Sequence, residues 1–123
     1  EIYLIKAECL ARAGQISDAL TALNAVRKTR IQPSSYQDIA TTDKTVALNA
    51  IFKTKNNELI LTLIPFADAR RLNAEGVYKV SFSKVDNGTT YNLSSTSHLW
   101  TMPFPQGAVK NPGNGTITQN VAK

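Results

Sequence analysis

Sulfur and imidazole are nearly missing from this chain of 123 residues, which carries one cysteine, one methionine and one histidine. With Cys9 alone no internal disulfide can form, and a zinc site built on Cys9 and His98 would lack ligands. Cys9 follows Lys6 and Glu8 and no apolar leader, so it does not sit where a lipid-accepting cysteine would; it is expected to pack as a small helical residue. His98 lies beside Leu99 and Trp100 with no Cys–His or Ser–His–Asp set at usable spacing, and is expected in a loop or at a strand edge. No apolar run approaches the roughly 20 residues that cross a bilayer. No basic stripe alternates with stacking aromatics either, so the net charge of +5 does not point to nucleic acid. Arg27, Lys28 and Arg30 instead close a helix, where cations favour the negative end of the dipole. An initiator methionine is missing at Glu1, and the first residues already follow a helical pattern. The expectation is a C-terminal piece of a longer polypeptide, with the remainder and any targeting signal upstream.

What is present is an ordinary globular balance, 42% hydrophobic against 19% charged residues. The clearest pattern runs from Ile2 to Arg30 and reads as two helices folded back on each other. Tyr3, Ala7, Leu10 and Ala11 give the first helix one apolar face, and Ile16, Ala19, Leu20, Leu23 and Val26 give the second. Gly14 is placed to close the first helix with a positive φ, and Ser17 to cap the second, with Asp18 near its positive end. Ala7, Ala11 and Ala19 let the two backbones come close. The hairpin holds no acid–base pair and no metal ligand set. A small residue on the first helix, Gly14 at the turn, then Ala19 and Leu23 on the second, resembles one tetratricopeptide (TPR) unit over residues 1–31. No second copy recurs at a fixed period, although helical repeats need neighbours to bury their faces.

Pro33, Ser34 and Ser35 punctuate a connector from Ile31 to Asp43, in which Tyr36 is expected as a loop anchor and not as a ligand platform. Thr42 or Asp43 caps the helices expected over residues 43–76. Val46, Ala47, Ala50, Ile51 and Phe52 form the apolar side of the first of these, while Lys44, Lys53, Lys55 and Asn56 stay wet. The helical signal continues through Glu58, Leu59, Ile60, Leu61 and Leu63, a run apolar enough to be buried on most sides. Pro65 interrupts it and opens a short helix that stops at Gly76. Asp68 and Arg71 are spaced to pair along that helix, and Glu58 to join them across the kink. Residues 77–123 change character. An imperfect alternation over Val77–Val85, the turn Asp86-Asn87-Gly88 and the run Thr89–Leu93 predict a small hairpin, with Tyr78, Phe82 and Tyr91 packing it against helices. The remaining tail is rich in Pro, Gly and Asn, yet Leu99, Trp100, Met102 and Phe104 are too apolar to hang free. It is expected as an extended segment laid over the helices, stiffened by Pro103 and Pro105, plugged by Trp100 and turned away by Asn111-Pro112-Gly113. The fold class is therefore mainly α: a TPR-like helical hairpin plus further helices, with a small β-hairpin and an extended C-terminal segment packed on them, over a single span of 1–123.

Three stretches, in this order, resemble the C-terminal region of the SusD/RagB family of Bacteroidetes outer-membrane nutrient-binding lipoproteins. The first is EIYLIKAECLARAG with DALTALNAVRKTR. The second is NELILTLIPFADARR, where Glu58, Phe66, Asp68 and Arg71 match the family's E-L-A…R-W-F-D-L-R pattern. The third is MPFP…NP…QN, matched through Pro103, Pro105, Asn111, Pro112, Gln119 and Asn120. Thr62, Leu63 and Pro65 stand where the family usually has a second acid, a Gly and an Arg, which marks a divergent member. The resemblance implies a lipid-anchored protein on the outer face of the outer membrane. It would capture a glycan or another nutrient and deliver it to a TonB-dependent SusC-like transporter, with no catalytic residue, metal or cofactor. The family's glycan contacts come mostly from loops outside this helical end, so the resemblance assigns no ligand-binding residue here. Two other readings compete. One is a TPR-like adaptor gripping a protein segment in its groove. The other is a glycosidase, which needs two carboxyl groups about 5 to 9.5 Å apart; Glu58, Asp68 and Glu75 sit in amphipathic helices with evident structural jobs.

Overall fold

The computed structural model describes residues 1–113 and 115–120; Asn114 and residues 121–123 of the expected tail lie outside the described residues. The chain divides into two compact units, Glu1–Pro65 and Phe66–Lys123.

In the first unit, α1 (Ile2–Arg12) and α2 (Ile16–Lys28) pack against each other, and both pack against α3 (Lys44–Glu58). Gly14 turns the chain between α1 and α2 at φ +85°, with its N–H bonded to the Ala11 carbonyl and the Gln15 N–H to that of Leu10. This is the Schellman pairing, and it requires the left-handed conformation that glycine adopts without strain. It also delivers the chain into α2 two residues earlier than a Ser17 cap would. Gln15 precedes the helix, and Ser17 lies within its first turn, where its carbonyl accepts from the Thr21 hydroxyl at 3.0 Å.

The buried stripe of α1 is Leu4, Ala7, Glu8 and Ala11, which leaves Tyr3 exposed and Leu10 half-buried. Cys9 lies off that stripe and is exposed, not packed. From α2 come Ala19, Leu20, Ala22 and Leu23, and from α3 Ala47, Leu48 and Ile51; Val46 is exposed. Asp43 caps α3 by accepting the Val46 N–H at 2.9 Å.

Lys55, expected in water, is buried, with its Nζ 3.9 Å from the Glu8 carboxylate, which also accepts from Arg12 Nε at 2.8 Å. The reason is spacing. Lys55 follows Ile51 by four residues and falls on the stripe facing α1, where the buried carboxylate compensates its charge.

The apolar run after Glu58 also departs from expectation. Helix α3 ends there, and Ile60, Leu61 and Leu63 are 66%, 97% and 73% exposed. Thr62 closes a local turn, its N–H and hydroxyl both reaching the Leu59 carbonyl and its oxygen taking the Ile64 N–H. Such side-chain bonds compete with helical ones, and Pro65 cannot donate to continue the helix.

Helix α4 (Ile64–Glu75) carries Pro65 in its first turn and stops at Gly76, whose φ is +76°. Within the second unit it buries Ala69 and Leu72. Strands β1 (Phe82–Asp86) and β2 (Thr89–Leu93) pair antiparallel with Phe82 opposite Leu93 and Asp86 opposite Thr89. Asn87 and Gly88 both take positive φ, the two-residue hairpin geometry whose twist matches that of the strands. The strand is shorter than the alternating run because Val80 N–H is taken by Asn73 Oδ1 of α4 at 2.7 Å.

Trp100 is the plug expected, 6% exposed, with ring centroids 5.6 Å from both Phe66 and Phe82 and its indole N–H bonded to the Ser94 carbonyl. Leu99, Met102 and Phe104 do not follow it inward and remain more than half exposed. A five-residue helix, α5 (Gln106–Lys110), interrupts the otherwise extended tail. The architecture is thus mainly α with one small β-hairpin.

Burial separates two leucines that look alike in sequence. Leu23→Ala should cost about 2–5 kcal/mol, whereas Leu61→Ala should stay within about 0.5 kcal/mol of zero, both read by urea unfolding followed by far-UV circular dichroism.

Candidate functional site

A concavity lies beside α2, where the connector crosses it. Extended backbone outside a sheet needs partners for its N–H and C=O groups, and α2 supplies them. The Asn24 amide acts like a peptide group, accepting the Ile39 N–H and donating to the Ile39 carbonyl, both at 3.0 Å. Arg27 donates to Asn24 Oδ1 at 3.1 Å and to the Gln37 carbonyl at 2.8 Å, and its guanidinium lies 5.7 Å from the centre of the Tyr36 ring. The Tyr36 hydroxyl donates to the Asp38 carboxylate and lies 3.2 Å from the Asn24 carbonyl. Tyr36 is thus the anchor expected of it.

Its phenol is held above the ordinary value of 10.0, chiefly by the hydrogen bond to Asp38, then by desolvation and the Asp38 charge, against an opposing Arg27. Raised in the folded state, it contributes stability below the unfolded pKa that is lost as pH rises through the folded one.

Held this way, the connector leaves a cleft of about 1260 Å³ against α2. Leu20 and Ile39 lie within it, and Asp18, Thr21, Lys28, Asp38 and Thr41 bring hydroxyl and charged groups to its lining. Such a surface can hydrogen-bond a polar ligand.

The carboxylates weighed for hydrolysis are each engaged by arginine. Glu58 accepts from Arg30 Nε at 2.8 Å, on the segment after α2. Arg71 holds Asp68 at 3.2 Å, as predicted, and Glu75 at 3.0 Å. Among the described residues no three His, Cys, Asp or Glu side chains converge to hold a metal ion, and no helix is long and apolar enough to cross a membrane.

The end of the chain explains its own closing motif. Gln119 accepts the Phe104 N–H at 2.9 Å and donates to the Phe104 carbonyl at 3.0 Å. Asn120 donates to the carbonyls of His98 at 2.7 Å and Thr101 at 2.9 Å. His98, expected in a loop or at a strand edge, opens a short 3₁₀ turn through Trp100 and contributes its carbonyl to the clamp. A sequence model of the SusD family matches residues 1–122.

The chain belongs to the SusD family.

The family is one of nutrient-binding proteins of glycan utilisation. No curated protein and no solved structure matches the chain. Within this SusD-family chain, the matched residues Gln119 and Asn120 fasten the tail around Trp100, and Asp68 and Arg71 form an ion pair on α4. They work as fold determinants. Sequence reasoning missed Asn24; its one signal was a polar amide of low helix propensity inside an apolar helix.

Asn120→Ala should lower stability by about 1–3 kcal/mol through two carbonyls left without their partner, with faster amide exchange in residues 98–104 than elsewhere. In a base titration followed at 295 nm, Tyr36→Phe should remove an ionisation lying above pH 10.

Proposed function

We propose that this protein is a cell-surface binding component of a nutrient uptake system. It is held by a lipid anchor on the outer face of the outer membrane, and it captures a glycan or oligosaccharide for delivery to a TonB-dependent SusC-like transporter. The observation that carries this reading is the family match along nearly the whole chain. Binding and release make and break no covalent bond. The engagement of Glu58, Asp68 and Glu75 by arginine agrees with that, since a glycosidase needs one carboxyl free to donate a proton and another free to attack or to activate water. The helical first unit then serves as scaffold. The alternative, a TPR-like adaptor, rests on the α1–α2 hairpin and the cleft beside it, and expects a polypeptide as ligand.

Affinity electrophoresis of the native gene product in gels containing a panel of polysaccharides separates the two. Retardation by at least one polysaccharide, with a large β-barrel protein co-purifying from detergent-solubilised outer membranes, is the expected result. Unretarded migration in every gel, together with co-purification of a soluble protein through the α2 cleft, would favour the adaptor.

A further inference from the structure

A second cleft lies on the other side of the connector, between the C-terminal end of α2 and α3, with a volume of about 380 Å³. That is the size of a small-ligand pocket. Its composition is unlike that of the larger cleft. Ile31, Ile39 and Ala50 provide apolar lining, and Arg27, Arg30 and Lys53 bring three cations. Glu58 is the one carboxylate among the lining residues, which leaves a formal surplus of two positive charges.

The cations differ in how they are held. Arg27 is fixed by its bonds to Asn24 and the Gln37 carbonyl. Arg30 gives its Nε to Glu58, and among the described residues its terminal amino groups take no protein acceptor. Lys53 is exposed on α3 and makes no ion pair among the described residues, and Asn57 one turn further adds an amide. Positioned guanidinium groups beside a free ammonium favour an anion, because charge-assisted hydrogen bonds are about twice as strong as neutral ones. The apolar lining adds a surface for a compact body that carries the acid.

We infer that this cleft is a subsite for an anionic sugar residue, one bearing a carboxylate or a sulfate. The inference rests on the proposed nutrient-binding function and narrows its ligand class. A sugar ring offers a C–H face to Ile31, Ile39 and Ala50, and its acid group reaches Arg30 and Lys53. A neutral sugar would use the apolar lining alone.

The test is calorimetric titration of the intact protein at low salt with three probes: an oligogalacturonate, its methyl ester as the neutral isostere, and a sulfated chondroitin oligosaccharide. At least one acidic probe should bind about ten-fold or more tightly than the ester and weaken as salt is raised, and the two acidic arms show which acid fits. Lys53→Gln should weaken that binding about three- to ten-fold and Lys53→Glu further, with helical circular dichroism unchanged. Equal affinity for ester and acid, or unchanged affinity in both Lys53 variants, overturns the subsite. Retention of neutral polysaccharides with neither acidic probe bound overturns the subsite and leaves the nutrient-binding reading standing. Failure of every polysaccharide, neutral or acidic, overturns both.

Discussion

The helices of the first unit meet at the distance their alanines permit. Ala7 and Ala11 on α1, Ala19 on α2 and Ala47 on α3 have no exposed surface, and larger side chains at those places would hold the backbones apart. With the axes close, Leu4, Leu23, Leu48 and Ile51 are fully buried among them. The same closeness encloses Glu8 and Lys55, and the Glu8 carboxylate there faces both the Lys55 ammonium and the Arg12 guanidinium. It also leaves no interior path for the connector, which must run over the outside of α2. Both clefts exist because it does.

A second theme is the work given to amide side chains. Much of the chain outside the helices and the one hairpin is extended or turned, and its backbone groups have no ladder to join. Asn24, Asn73, Gln119 and Asn120 stand in for the missing strands, meeting Ile39, Val80, Phe104 and the pair His98 and Thr101 respectively. An Asn or Gln side chain carries both a donor and an acceptor, as a peptide unit does, and so can satisfy both backbone groups of one residue. Arg71 is used comparably, held between the carboxylates of Asp68 and Glu75 on its own helix.

The parts legible in the sequence were those fixed by local rules. Gly14, Asp43, Pro65, Gly76 and the Asn87-Gly88 turn each act through their own backbone preference, and each sits where that preference places it. The packing of Trp100 was legible because so large an apolar ring in a polar tail has few alternatives. What escaped was decided by rotation and by distant partners. Tyr3 and Leu4 are adjacent, and the period of a helix alone does not say which of the two stripes turns inward. Lys55 looked solvated because its partner, Glu8, lies far away in the chain. The run from Leu59 to Leu63 was misread because three hydrogen bonds of Thr62 outweigh its apolar composition locally. The clefts were not legible at all, since they arise from where the connector is fastened.

Trp100 is the only tryptophan in the chain, and it is enclosed by Phe66 and Phe82 with its indole N–H bonded to a carbonyl. Intrinsic emission excited at the red edge of tyrosine absorption therefore originates from one place, inside the second unit. A shift in its wavelength reports water reaching that ring, whereas disordering of the helices registers in the amide signal. The protein carries a built-in optical probe for one of its two halves.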